Sequence, residues 1–272
     1  MNRLEKKNAI NESEVIATRK SSEKIISFLT KKIPNIIQPF VVGSLLFLYI
    51  VGFQIVPFNN IYWLIDCVTH EGITMICDSQ QHLLCWLFFR STDFFQFPLL
   101  SNFSYGLENW SATIIHTDSL PIMALLFRPF SSYLPQLFQY FGYWIYLCFL
   151  FQGFCSYYLI NHFLKDRTKS LISMLFFLIA PIFLWRLWGH YALLAQGLLL
   201  LSFYLYFSDY KKYNYWLALL LISSLINAYF SGMILLLFLC NLIKKNTDIK
   251  QVAKKFFKVV GLLLLFPPLC GK

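Results

Sequence analysis

Residues 137–164, LFQYFGYWIYLCFLFQGFCSYYLINHFL, hold no lysine, arginine, aspartate or glutamate and end against Lys165-Asp166-Arg167. About 20 apolar residues in a helix cross a bilayer core, so this run reads as a full membrane span that closes on a basic loop. The rest of the chain repeats that alternation. Upstream, 39–58 (PFVVGSLLFLYIVGFQIVPF) is uncharged and follows a basic amino-terminal segment. Downstream, 170–188, 191–207 and 214–243 are apolar blocks, the last two separated by Asp209-Tyr210-Lys211-Lys212, and the lysine-rich 244–258 follows them. Between the first two blocks lies a polar stretch, 59–118, with no lysine and Arg90 as its one arginine. Basic loops of multi-span proteins stay in the cytoplasm and lysine-poor loops face out. The expectation is an all-α, polytopic helical membrane protein with a cytoplasmic amino terminus and one large first outer loop.

Composition supports the same class. Mean hydropathy is +0.58, 58% of residues are apolar and 13% are charged, against roughly 45–50% and 25% in soluble chains. The net charge of +10 is split among interblock loops rather than gathered in a basic domain, which argues for anionic lipid headgroups and against nucleic acid as the partner. The domain reading is a cytoplasmic tail over 1–36, a first span over 37–58, an outer loop over 59–118, a helical bundle over 119–243, and a cytoplasmic loop with a short apolar segment over 244–272. Residues 1–36 are too long and polar for a cleavable signal. The last apolar run, 259–270, is too short to span, so the chain reads as the amino-terminal part of a longer protein.

Proline and length set the breaks. Pro121, Pro129 and Pro135, with Arg128, reduce 119–135 to one partial helix, and Pro181 predicts a kink within 170–188. The run 214–243 is too short for two spans, and both flanks are basic. It reads either as two short helices meeting near Ile226-Asn227-Ala228-Tyr229, tolerated where they line a cavity, or as one long tilted helix. Cys148, Cys155 and Cys240 read as small core residues; one disulfide among Cys67, Cys77 and Cys85 is open. No cysteine–histidine spacing suits zinc. Gln152, Asn161 and Gln196 read as bonds between helices.

Three constellations carry candidate chemistry. In Asp78-Ser79-Gln80-Gln81-His82 through Trp86 and Arg90, every fourth residue advances by about 40° on a helix, so Asp78 and His82 become neighbours. A carboxylate beside a histidine suits proton abstraction, and Arg90 further round suits a phosphate. Asp78 followed by Gln81 is also a capping-box pattern; the two roles coexist. The second constellation, Ile115-His116-Thr117-Asp118-Ser119-Leu120-Pro121, offers Asp118 as a helix cap or as a second carboxylate for substrate hydroxyls or a divalent cation. Gln139-Tyr140 reads as a sugar-binding pair or an interface anchor. The third is Arg186 and His190 beside Trp185 and Trp188 at the outer rim of a span, where ionisable groups mark function or snorkel to water.

Together, Asp78-x-x-x-His82-x-x-x-Trp86-x-Phe88-Phe89-Arg90, Thr117-Asp118-Ser119-x-Pro121, Gln139-Tyr140-x-Gly142-x-Trp144 and Trp185-Arg186-x-x-Gly189-His190-Tyr191 resemble a family of bacterial integral membrane proteins similar to GT-C glycosyltransferases. The resemblance covers roughly 40–245. Where its pattern has His-Pro before a tyrosine near 229, this chain has Asn227-Ala228. The resemblance implies sugar transfer from a polyprenyl-phosphate donor outside the cytoplasm. Asp78 would be the general base with His82 beside it, and Arg90, Arg186 or His190 would face the lipid phosphate. Asp118, Gln139 and Tyr140 would contact substrate. A transporter or flippase, or a non-catalytic membrane subunit, is the alternative.

Overall fold

The computed structural model describes residues 34, 36–65, 78–93, 96–97, 99–107, 110–117, 119–208, 213–245 and 249–270. The tail over 1–33, Cys67, Cys77 and Asp118 lie outside them. The fold is mostly helical. Its elements are α1 (Gln38–Ile50), α2 (Tyr62–Ile65), α3 (Asp78–Ser91), β1 (Ser101–Leu107), β2 (Trp110–Thr113), α4 (Pro121–Phe127), α5 (Phe141–Leu164), α6 (Arg167–Leu178), α7 (Pro181–Trp185), α8 (Gly197–Phe207), α9 (Tyr213–Ser224), α10 (Ala228–Lys245) and α11 (Ile249–Cys270).

The uncharged run 137–164 becomes the central helix. α5 is 24 residues long, about 36 Å at 1.5 Å per residue, and α1, α6 and α8 all pack on it. α1 fits closely because glycines face the crossing. A Cβ on Gly43 would lie 2.9 Å from the Phe149 carbonyl oxygen, and one on Gly153 would lie 3.0 Å from that of Pro39. The polar residues inside the apolar runs join neighbours, as expected. Gln152 donates to the Phe177 carbonyl at 3.3 Å, Ser170 donates to Asn161 Oδ1 at 3.3 Å, and Gln196 donates to the Ile182 carbonyl at 3.4 Å.

The breaks fall where backbone chemistry puts them. α6 starts on Asp166, whose carboxylate accepts from the Lys169 backbone N–H at 3.1 Å. It ends at Leu178, and Pro181 opens α7. The run 214–243 resolves to two helices rather than one long one. α9 and α10 form an antiparallel pair, with Tyr213 and Trp216 at one end both 5.8 Å from the Phe238 ring and Ser223 bonded to Ser231 at 3.0 Å at the other. Asn227 Oδ1 accepts from the Tyr229 backbone N–H at 2.9 Å, which starts α10. Proline-broken 119–135 gives only α4 and a 3-10 turn at Arg128–Phe130.

Four sequence expectations are corrected. The first span does not run as one helix over 37–58: α1 stops at Ile50 because Gly52 takes a positive φ of 84° and a 3-10 turn follows at Phe53–Ile55. The 59–118 stretch is not only a loop. It folds α3 into the same hydrophobic cluster as α5 and sets an antiparallel β1–β2 hairpin against α3. Residues 249–270 form one continuous helix, α11, instead of a loop and a short apolar segment. Cys240 is exposed on α10, whereas Cys148 and Cys155 are buried as expected; Cys85, one member of the open disulfide set, is buried with its sulfur 3.5 Å from Asn102 Nδ2.

Two described helices, Phe141–Leu164 and Ala228–Lys245, are long and apolar enough to cross a membrane. Gln38–Ile50, Pro121–Phe130 and Tyr191–Phe207 are apolar but shorter.

Candidate functional site

α3 is the scaffold of the site. Its inner face buries Leu83, Cys85, Trp86 and Phe89, which fixes the helix against the bundle and leaves its amino-terminal turn at a cavity. Trp86 donates its indole N–H to the Phe138 carbonyl at 3.0 Å. Asn102 of β1 donates to the Cys85 carbonyl at 2.9 Å. Ser79 and Tyr191 share a buried hydroxyl–hydroxyl bond of 2.7 Å, tying the first turn of α3 to the 3-10 turn Tyr191–Leu194.

That tie brings the first and third constellations together. Asp78, His82 and His190 line one cavity of about 450 Å³ with Gln81, Asn227 and Tyr229. Asp78 Oδ2 lies 3.8 Å from His190 Nδ1, with both side chains partly open to solvent. His82 is buried, and its Nε2 is 2.6 Å from the Gly189 carbonyl oxygen. A carbonyl only accepts, so Nε2 carries a proton. Spacing on α3 pointed to His82 as the partner of Asp78; the structure gives Asp78 to His190 and His82 to the backbone of Gly189. Gly189 makes this possible. Its φ is 100°, and a Cβ there would lie 3.3 Å from the Asp78 Cβ.

The cavity is electrostatically asymmetric. α3 starts at Asp78 and α10 at Ala228, and both residues line it. Helix amino termini carry partial positive charge, so the start of α10 adds positive potential beside a carboxylate and two histidines. A carboxylate so placed is able to accept a proton, and the α10 terminus is able to offset an anionic charge. Among the described residues no three histidine, cysteine, aspartate or glutamate side chains are placed to hold a metal ion.

An apolar groove lies beside the cavity. Ile226 lines both the cavity and this groove of about 550 Å³, whose walls include Phe40, Ile122, Trp144, Phe151 and Leu219. A hydrogen bond of 3.0 Å from the Ile122 N–H to the Leu225 carbonyl holds α4 to the α9–α10 break at this junction.

The remaining sequence candidates sit elsewhere. Arg90 is twelve residues beyond Asp78 on α3, about 18 Å along the helix. Its guanidinium donates to the carbonyls of Pro135 at 2.7 Å and Ser131 at 2.7 Å, with Gln136 and Leu134 each at 3.3 Å. It fastens the 131–136 loop. Gln139 and Tyr140 are fully buried. Gln139 donates to the carbonyls of Ile55 at 3.0 Å and Pro57 at 2.8 Å and accepts from the Gly142 N–H at 3.0 Å. Tyr140 donates to the Ser119 carbonyl. Both are engaged in internal bonds. Arg186 is half-buried, and its carbonyl accepts from the His190 N–H at 3.2 Å, which puts it in the turn carrying His190. Asp118 lies outside the described residues.

Sequence reasoning missed Gly189, Tyr191, Asn227 and Tyr229 as parts of one site. The glycine directly before His190 was the available signal. It also missed Arg128, which is buried over the Phe89 ring at 4.3 Å and donates to Thr92 Oγ1 at 2.9 Å, the Leu99 carbonyl at 3.2 Å and the Asp93 carbonyl. A family model described as a domain of unknown function, DUF6311, matches residues 40–270. No curated protein and no solved structure matches the chain. The match covers α1 to α11 and every side chain of the cavity, so the chain belongs to the DUF6311 family.

Proposed function

We propose that this protein is a polytopic membrane protein of the bacterial inner membrane, with its amino terminus in the cytoplasm, and that it transfers a sugar from a polyprenyl-phosphate donor to a hydroxyl acceptor on the outer side. One observation carries the reading: a cavity lined by a carboxylate, two histidines and the start of α10 lies beside an apolar groove, with Ile226 in the wall of both. A ligand that fits both has an anionic, hydroxyl-rich head and a hydrocarbon tail, which is the chemistry of a lipid-linked sugar phosphate. Exposed apolar side chains support a lipid surround. Phe176 is 71% exposed, Leu236 63% and Trp188 75%, and a helix apolar all round is stable only when buried or in lipid.

The chemistry follows from the cavity. The acceptor oxygen attacks the anomeric carbon, Asp78 takes the hydroxyl proton, and the bond from the sugar to the phosphate oxygen breaks with its electron pair staying on the phosphate. His190 holds Asp78 in orientation. The amino terminus of α10, with Arg186 at the rim, offsets the charge that grows on the leaving phosphate. His82 acts through Gly189 as a positioning residue.

Two experiments test this. Membranes carrying the chain are incubated with labelled polyprenyl-phosphate sugars. Asp78→Asn is expected to cut transfer by about 10²-fold or more, the usual contribution of a general base, with membrane insertion unchanged; full transfer by this variant refutes the role. In cells whose accessible native cysteines are replaced by serine, Tyr133→Cys is expected to react with an impermeant thiol reagent, and Lys169→Cys only after lysis. The reverse pattern overturns the topology. The α9–α10 break at the cavity favours a second reading, since broken helices form the midplane sites of transporters. Sugar–lipid movement across vesicles without bond cleavage selects that one.

A further inference from the structure

A second cavity lies at the opposite end of the α9–α10 pair. The Asp78 cavity meets Ser224 at the end of α9, and the second meets Tyr213 at its start, about 16 Å away by helical rise. The second cavity holds about 330 Å³ and is lined by Tyr213, Trp216, Asn241, Lys245, Lys255 and Lys258, with Phe238 and Leu242 as its apolar floor. Trp216 is 1% exposed and Asn241 4%. The Trp216 indole N–H, the Asn241 Oδ1 and the Tyr213 hydroxyl are buried with no hydrogen-bond partner. Buried polar atoms are almost always satisfied, and each exception asks for an unseen partner. Three such atoms on one small cavity, beside lysines from two helices and with no aspartate or glutamate among the described residues of its lining, point to a ligand rather than to a packing fault.

The donor set defines the ligand. Three ammonium groups, an indole N–H and a phenol suit phosphate oxygens. Asn241 Oδ1 can only accept, and a phosphate diester offers it nothing to accept, so the ligand also carries a hydroxyl. We propose that this cavity binds a hydroxyl-bearing phosphate ester. Two sources share that chemistry: the glycerol headgroup of an anionic phospholipid in the cytoplasmic leaflet, and a soluble glycerol phosphate. Only the lipid source needs the membrane reading above. Lysines on α11 flank the cavity while its Val252 and Val259 are buried, so α11 presents a basic face where a headgroup would lie.

The test uses the full chain in a neutral maltoside detergent, with tryptophan fluorescence following titration by dihexanoyl phosphatidylglycerol, dihexanoyl phosphatidylcholine, glycerol 3-phosphate and inorganic phosphate. Phosphatidylglycerol is expected to bind at least tenfold tighter than phosphatidylcholine. The Lys255→Gln, Lys258→Gln double variant, altered only on the exposed side of α11, is expected to lose at least tenfold while keeping the wild-type melting temperature. Glycerol 3-phosphate binding as tightly as phosphatidylglycerol assigns the soluble source; phosphatidylglycerol alone assigns the lipid. Equal binding of the two phospholipids, an unaltered double variant, or inorganic phosphate matching every ester overturns the proposal.

Discussion

Gly189→Ala is the sharpest probe of how the site is held. Gly189 has a φ of 100° and its carbonyl accepts from His82 at 2.6 Å. An L side chain in that backbone region costs about 1–3 kcal/mol. The new Cβ would also approach the Asp78 Cβ to 3.3 Å, so the first turn of α3 must give way or the 186–190 turn must rotate. We expect a loss of about 2 kcal/mol, or roughly 4–8 °C in melting temperature for a chain of this size. Transfer should fall further than stability does, because either adjustment disturbs the 3.8 Å approach of Asp78 to His190. The assay is thermal unfolding in detergent read by a thiol-reactive dye. Cys85, Cys148 and Cys155 are buried and report unfolding, while exposed Cys240 sets the baseline. Gly232→Ala is the control: it lies in α10 with nothing within 4 Å of the added Cβ, and should raise stability by about 0.5–1 kcal/mol. If Gly189→Ala melts with or above the wild type, or if both variants fall alike, the positive-φ argument is wrong.

Arg90→Ala, which removes the clamp on the carbonyls of Ser131 and Pro135, should cost about 2 kcal/mol without weakening binding of lipid-linked sugar; a selective loss of donor binding would return Arg90 to the phosphate. Tyr140→Phe leaves the Ser119 carbonyl without its donor and should cost about 1–2 kcal/mol, seen as a lower melting temperature with KM unchanged. Asp166 is held below the usual carboxylate range by the Lys169 backbone N–H. A lowered folded-state pKa means that its stabilisation is present above the unfolded value and fades as pH falls through the folded one. Asp166→Ala should therefore melt below the wild type at pH 7 and together with it in strong acid, and a gap that persists in acid would exclude the carboxylate as its cause.

The sequence exposed those features that a single segment determines. The run 137–164 contains its own reason to be a helix, Pro181 its own reason to end one, and Asn227 a side chain able to start the next. α1 was overread because Gly52 sits in a run as apolar as a span, and hydropathy does not register a positive φ. α11 was underread because lysines at 254, 255 and 258 look like a loop by composition while their spacing is helical. The site was half legible. Spacing on α3 shows that Asp78 and His82 share a face, but nothing in that stretch says that residues 189–191 arrive beside them. Arg90, Gln139 and Tyr140 are ambiguous in sequence for a different reason. A polar tip in an apolar setting looks the same in sequence whether it holds a ligand or a carbonyl of its own chain.

The bonds that close the Asp78 cavity join segments made far apart in time. His82 meets Gly189 across 107 positions and Ser79 meets Tyr191 across 112. At translation rates of about 5–20 residues per second, the start of α3 waits roughly 5–20 s for its counterparts to leave the ribosome. During that interval the buried faces of Trp86 and Phe89 have no bundle to rest on. A membrane insertase or periplasmic chaperone that shields α3 would set the yield of active protein, and depleting it should harm biogenesis before it harms turnover.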